Sequence, residues 1–223
     1  MYAVHFDGTR TIKLGNHEHF RLEGCGDFTY EMWFRPTASD VQGWIVMRNA
    51  ANGIQFQGIS SSPRLYHGNY CSNPRFSSWK VGTWYHLAMV GSGCTRHLYV
   101  NGVQDHSACT GVSYTNYNLD FHVGGGYAPL LKSADLAEVR VWGVTRTEAQ
   151  LNTHMRTPLV VSSYSLDELR GYWRFESADD IEHDSSPWGT PGAYTPTFAN
   201  SNDHGRVGSP TASDWIGSVP WPA

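Results

Sequence analysis

The chain predicts an all-β fold, an antiparallel two-sheet sandwich with one short helix. Short runs of alternating apolar and polar residues recur along it, separated by turns rich in Gly, Asn, Ser and Pro. The composition agrees: 13% aromatic residues, only 16% charged residues and 23 glycines suit strands joined by ordered loops. One segment alone reads as helix. Thr145 stands three residues before Glu148, the spacing of a reciprocal N-terminal capping pair, which places a helix at about Arg146–Met155. Ala149, Leu151 and Met155 are its expected packing stripe.

In chain order, Met1 leads straight into a first strand, so no signal peptide is expected. Tyr30, Met32 and Phe34 face one way, with Thr29, Glu31, Trp33 and Arg35 on the other side of the same strand. Trp44–Arg48, Gly53–Ile59 and Arg64–His67 read as short strands. Trp84–Val90 and Arg96–Val100 follow, the second running into Asn101-Gly102, a two-residue hairpin turn whose residues tolerate positive φ. Phe121–Gly124, Leu136–Trp142 and, after the helix, Tyr172–Phe175 complete the regular part.

The net charge of −4 argues against a nucleic-acid partner, which would want a basic face. No apolar run approaches the ~20 residues that span a bilayer. Counting outward from the Asn101-Gly102 turn brings Cys94 opposite Cys109, as a cross-hairpin disulfide or as two buried thiols. No spacing argument places Cys25 or Cys71. There is no CxxC pair, no Asn-x-Ser/Thr acceptor site and no Gly-x-Ser-x-Gly turn. Val123–Gly126 lacks the lysine and helix of a phosphate loop. His17 and His19 are too few for a zinc site and read as an exposed loop.

Several motifs occur in a telling order: FDG at Phe6–Gly8, FTYEMWFRP at Phe28–Pro36, GTWYHLAMV at Gly82–Val90, LYVNGV at Leu98–Val103, the strand–turn–helix of Ala134–Met155, and LRGYWRF at Leu169–Phe175. Together they resemble the laminin-G-like, concanavalin-A-like jelly-roll family of lectins and glucanases, distantly pentraxin-like. The resemblance implies one jelly-roll domain over residues 1–223. It implies that the polar Ser177–Ala223 is ordered along the sandwich edge, with HDSSPWGTPG at His183–Gly192 as a family segment and WIGSVP at Trp215–Pro220 as the closing strand. Trp33, Trp84, Trp142 and Trp173 match framework aromatics, and Glu31 and His86 fall on strands that the family pairs. Trp79, Trp188, Trp215 and Trp221 are less constrained, and an exposed one would be a stacking candidate.

Function is weighed against that resemblance. Glycoside hydrolases of this fold carry Glu-x-Asp-x-Glu on one strand, which places two carboxylates about the sugar. Here the nearest approach, Glu176 to Glu182, has the wrong spacing and runs into a polar loop, so no enzyme is expected. Calcium is the metal that relatives bind, but the carboxylate they place before the Glu-Val-Arg strand is Ala137 here, with Asp135 two residues earlier. The Glu-Gln-Asp cluster of pentraxin-type relatives is missing after Gly124–Tyr127. Asp7, Asp180 and Asp184 remain as oxygen donors for a tentative calcium. A lectin needs an aromatic plane for a pyranose and a few rigid polar groups for its hydroxyls. Tyr66–Tyr70 running to Arg75 has that inventory in His67, Asn69, Tyr70 and Arg75. Tyr127 sits on a glycine-flexible loop, and Arg48, Asn49 and Asn52 end a neighbouring strand.

The expected function is therefore non-covalent recognition of glycans or glycoproteins by a lectin module, acting as a homo-oligomer that gains avidity. A protein–protein adhesion or scaffold module of laminin-G type is the alternative, ahead of a glycan-cleaving enzyme. An extracellular or non-classically secreted address is favoured over a cytoplasmic one.

Overall fold

The fold was established in a computed structural model that describes residues 1–9, 11–15, 20, 25–49, 52–57, 64–67, 79–105, 121–125, 129–176, 183–187, 215–218 and 221. The strands are β1 (Tyr2–Asp7), β2 (Ile12–Gly15), β3 (Phe28–Pro36), β4 (Gln42–Asn49), β5 (Asn52–Gln57), β6 (Arg64–His67), β7 (Tyr85–Ser92), β8 (Thr95–Val100), β9 (Val103–Gln104), β10 (Phe121–Val123), β11 (Lys132–Trp142), β12 (Leu169–Trp173) and β13 (Trp215–Ser218). The helix α1 spans Glu148–His154. The described strand pairs are all antiparallel, and they fall into two layers. The first runs β13–β1–β11–β3–β7–β8–β9, with β12 taking over from β1 along the second half of β11. The second runs β2–β10–β4–β5–β6, joined to the first where Lys132 of β11 pairs with Gln42 of β4.

The inner faces meet as the alternation on β3 requires. Tyr30, Met32 and Phe34 are fully buried in one cluster with Leu87 and Met89 of β7, Ile45 of β4, and Phe121 and Val123 of β10. Tyr30 packs edge-on to Phe121 at 5.3 Å, and Phe34 meets Trp79 at 6.0 Å. Trp79 is thus a core residue rather than an exposed stacking candidate. Gly124, at φ +77°, closes this region: a Cβ there would overlap the Phe6 ring.

Midway along the longest strand, β11, the residues that face the core change parity. Ala134 and Leu136 face the core on one parity; Val139 and Val141 face it on the other. A bulge reconciles the two, with Ala137 opposite Trp33, Arg140 opposite Glu31, and Glu138 at φ +51° between them. The bulge sends Arg140 and Trp142 to the outer face, where α1 and the chain after it cover them.

Three local expectations shift. The helix starts two residues later than predicted: Thr147, not Thr145, is the cap, and its hydroxyl accepts from Gln150 N while Gln150 Oε1 accepts from Thr147 N. Thr145 instead donates to the Gly91 carbonyl and ties the turn to β7. Leu151 packs on Ala88 and Val90, and Met155 on Trp33, but Ala149 is exposed. Thr147→Ala is expected to cost about 1 kcal/mol, read as a lower urea midpoint at an unchanged slope. The last outer strand is β12, which begins at Leu169 rather than Tyr172, because Leu169 pairs with Trp142 and Phe175 leaves the sheet at φ +56°.

The hairpin turn forms as read, with Asn101 and Gly102 at φ 51° and 77° and Val100 opposite Val103. The disulfide does not. Cys94 lies in the tight β7–β8 turn and is bonded to Cys25, which precedes β3. The pairing of Phe28 with Gly91 brings those two chain ends together, whereas β9 ends at Gln104, short of Cys109. Cys71 and Cys109 lie outside the described residues. Of the tail, β13 pairs with β1 at the sheet edge, and Asp184 bridges to Trp173.

Candidate functional site

Two constellations of polar side chains occupy the outer face of the first sheet, one covered and one open. The covered one lies beneath α1. Glu31 Oε1 accepts from Trp142 Nε1 at 2.7 Å and stands 3.6 Å from Arg140 Nη1, while His86 Nε2 lies 3.2 Å from Glu31 Oε2. Arg140 Nη2 donates to Glu138 and to the Thr157 carbonyl, and the Tyr172 hydroxyl donates to Glu138 as well. Trp33 Nε1 donates to the Met155 carbonyl at 2.6 Å. Burial by itself would push the Glu31 carboxyl up, but His86 and Arg140 prevail and hold it at about 2. Burial and the Glu138 carboxylate push the Tyr172 hydroxyl up to about 12, although Arg140 pulls the other way. Glu31, His86, Glu138 and Arg140 are all 3% exposed or less, so they join helix to sheet and do not present themselves to a ligand.

The open constellation is a row across the strands where the helix cover ends. His5 of β1 is opposite Asp135 of β11, which is opposite Arg35 of β3. Extending the β3–β7 register by one step brings in Trp84, which precedes β7. Asp135 is the pivot. Its Oδ1 is 2.7 Å from His5 Nδ1, and its Oδ2 accepts from Arg35 Nε at 2.6 Å with Arg35 Nη2 at 2.5 Å. The guanidinium carbon sits 4.9 Å from the centroid of the Trp84 ring. The Asp135 side chain is 1% exposed, against 36% for His5 and 27% for Arg35. The hydrogen bond to Asp135 pushes the His5 imidazole above its ordinary value; partial burial and Arg35 oppose this, and the charges of Asp135 and Asp7 add to it. One step nearer the helix, Trp33 and Ala137 cluster with Met1, Ala3 and Met155, and Trp84 and Trp221 pack against that cluster.

The residues expected from sequence to bind a ligand sit elsewhere. Arg48 and Asn49 end β4, where Asn49 pairs with Asn52, and His67 ends β6 opposite Ile54, so register brings these three to one end of the second sheet. Asn69, Tyr70 and Arg75, which follow, lie outside the described residues, as does Tyr127. Gly125 and Pro129, which flank the Tyr127 loop, stand toward the opposite end, because Gly124 N donates to the Ile45 carbonyl and Lys132 pairs with Gln42.

Of the carboxylates proposed for calcium, Asp7 and Asp184 do not converge. Asp7 is exposed and accepts from the Thr9 amide and hydroxyl. Asp184 is buried, and its Oδ1 accepts from the Tyr172 and Ser186 amides, with burial pushing its carboxyl up. Asp7 pairs with Lys132 and Trp173 with Val139, so roughly 20 Å of β11 separates the two at ~3.3 Å per residue. Asp180 lies outside the described residues. Asp135, two residues before the family's position, is already held by Arg35 and His5. Among the described residues no group of three or more His, Cys, Asp or Glu is placed to hold a metal ion.

Sequence reasoning named Trp84 as framework and Asp135 as a misplaced carboxylate, and passed over His5 and Arg35. No local signal joins them: β1, β3 and β11 are far apart in the chain, and only sheet register makes them a row.

Comparison with known proteins is consistent with this geometry. The chain belongs to the concanavalin A-like lectin/glucanase superfamily, whose laminin-G-type model matches residues 6–152. No curated protein sequence matches it significantly. Among solved structures it is similar to a Bacteroides ovatus protein assigned as carbohydrate-binding, at 17% identity and a TM-score of 0.62 over 80% of this chain and 52% of that one. The chain thus spans about half the length of that protein. It is also similar to a heptameric SAP-like pentraxin from Limulus polyphemus (16% identity, TM-score 0.51, 68% of this chain and 80% of that one). A third likeness is to domain 4 of AbnA, an extracellular GH43 arabinanase of Geobacillus stearothermophilus solved with arabinotriose (21% identity, TM-score 0.50, 68% and 75%). At these identities the likeness is one of fold.

Proposed function

We propose that this chain is a carbohydrate-binding module that holds glycans without turning them over. The observation that carries the reading is membership of a lectin and glucanase superfamily together with a fold shared with an arabinanase domain solved with its trisaccharide. Binding without turnover is supported by the carboxylates: Glu31 and Glu138 are sealed under α1, and Glu176 is paired with Arg174 at 2.6 Å. The end of the second sheet that carries Arg48, Asn49 and His67, with Asn69, Tyr70 and Arg75 following β6, is the proposed sugar-binding loop cluster. Tyr127 belongs to a separate loop. An extracellular setting is supported by the Cys25–Cys94 disulfide, which persists in oxidising compartments. No described helix is long and apolar enough to cross a membrane. Association into a homo-oligomer would add avidity.

The test is a broad glycan array probed with calcium and again with a chelator. Selective binding that survives chelation is the expected result; binding lost with the chelator would assign calcium to donors outside the described residues. Absence of binding in both conditions would favour the protein-adhesion reading instead. Tyr70→Ala should weaken a bound sugar by about 1–3 kcal/mol if that ring stacks on it.

A further inference from the structure

The open row on the outer face has a donor and acceptor pattern of its own. Asp135 is a carboxylate and accepts only, so His5 Nδ1, 2.7 Å away, carries the hydrogen of that bond. In the neutral imidazole His5 Nε2 is therefore an acceptor. Arg35 commits Nε and Nη2 to Asp135, which leaves Nη1 as a donor. Trp84, half-buried, lies under the guanidinium and packs against the Trp33–Met155 cluster, which leaves part of its indole beside them. Asp135 itself is sealed at 1% exposure, so it fixes the positions of its neighbours without meeting a ligand. A donor and an acceptor fixed by a buried carboxylate, with an aromatic edge beside them, are groups that can hold a pyranose.

We propose that His5, Arg35 and Trp84, fixed by Asp135, form a second saccharide subsite on the outer face of the first sheet, away from the loops at the end of β4. The inference rests on the reading of the chain as a carbohydrate-binding module. Its ligand is a neutral pyranose with two adjacent hydroxyls. Arg35 Nη1–H donates to the first hydroxyl, the first donates to the second, and the second donates to His5 Nε2, while a C–H edge of the ring lies against the exposed part of the Trp84 indole. A neutral ligand fits the charges around the row. Arg35 and Asp135 cancel, Asp7 faces His5 from the same strand, and Lys132 is paired with Asp40 at 2.6 Å. On the other flank of β1, the Trp215–Ser218 strand carries no ionisable side chain. Among the described residues no excess of positive charge is left to attract an anion.

The experiment titrates the full chain with methyl glycosides of glucose, galactose and mannose and with glucuronate and galacturonate. Calorimetry at pH 8 and pH 5.5 gives the affinities, and NMR follows the Trp84 indole and His5 imidazole resonances. His5→Gln, Trp84→Ala and Tyr70→Ala are measured alongside, with melting temperatures as the folding control. The expected result is that a neutral glycoside moves both resonances in the unaltered chain, Trp84→Ala weakens binding about tenfold or more, and His5→Gln weakens it as well. Because the NMR footprint is read on the unaltered chain, it decides the matter even where Trp84→Ala fails to fold. A glycoside bound with neither resonance moving, and lost only in Tyr70→Ala, overturns the outer-face subsite while the carbohydrate-binding reading stands. Uronates binding more tightly than neutral glycosides, and more so at pH 5.5, overturn the neutral-ligand assignment. Failure of the intact chain to bind any saccharide, here and on the array, overturns both.

Discussion

Arg140→Met is expected to lower the free energy of unfolding by about 3–5 kcal/mol, the cost of leaving a buried charge without its partner. The guanidinium stands between Glu31 at 3.6 Å and Glu138 at 3.0 Å, all of them sealed beneath α1, and it also donates to the His154 and Thr157 carbonyls. Removing it strands two carboxylates and unties the chain after the helix from the sheet. Denaturant unfolding checks the magnitude; restoring most of the loss with Glu31→Gln and Glu138→Gln in the same chain would identify stranded charge as the cause. A loss under about 1 kcal/mol would show that surface-like screening reaches this network. The same network sets the response to acid. Glu31 titrates at about 2 in the fold against 4.5 for an unperturbed group, a depressed value, so its contribution is present above pH 4.5 and is lost as the pH falls from 4.5 toward 2. That contribution is on the order of 3 kcal/mol. In Arg140→Met the loss should begin at higher pH, because a charge that holds Glu31 ionised is gone.

Opening the Cys25–Cys94 disulfide is the second large effect. The bond closes a loop of 69 residues in sequence separation, and cross-linking a loop of that size removes about 4 kcal/mol of chain entropy from the unfolded state. The Cys25→Ala, Cys94→Ala double variant, or the reduced protein, should unfold at a correspondingly lower temperature than the oxidised chain. The native contacts of β3 and β7 do not need the bond, since Phe28 through Phe34 pair with Gly91 through Tyr85 along their whole length. The loss should therefore appear in stability while the strand signature in circular dichroism persists. An unchanged melting temperature would mean that the unfolded chain is already constrained near this turn.

Much of the fold was legible because it is written in short-range patterns. The alternation of Tyr30, Met32 and Phe34 placed the inner face correctly, and Asn101-Gly102 formed the predicted turn. Legibility failed where two local signals competed. Thr145–Glu148 and Thr147–Gln150 have the same capping spacing, and the second prevailed because the Thr145 hydroxyl is engaged by the Gly91 carbonyl of a distant strand. The bulge at Glu138 was present in the sequence as a change of apolar parity between Leu136 and Val139, which a search for uninterrupted alternation passes over.

The candidate site was far less legible. Loop composition directed attention to Arg48, Asn49, His67, Asn69, Tyr70, Arg75 and Tyr127, and register then separated the flanks of Tyr127 from Arg48, Asn49 and His67. The row of His5, Asp135, Arg35 and Trp84 draws one residue from each of four segments, and nothing nearby in the chain marks any of them.

What sequence alone determined is the class: strands of alternating polarity, one capped helix, and ordered motifs that place the chain among laminin-G-like sandwiches. Alternation, turn chemistry and capping act over a few residues, so they can be read from a few residues. Cysteine pairing, helix start, and which polar side chains are sealed or open were decided by tertiary structure. Each depends on strand register, which brings distant residues to hydrogen-bond distance and settles which partner a side chain meets.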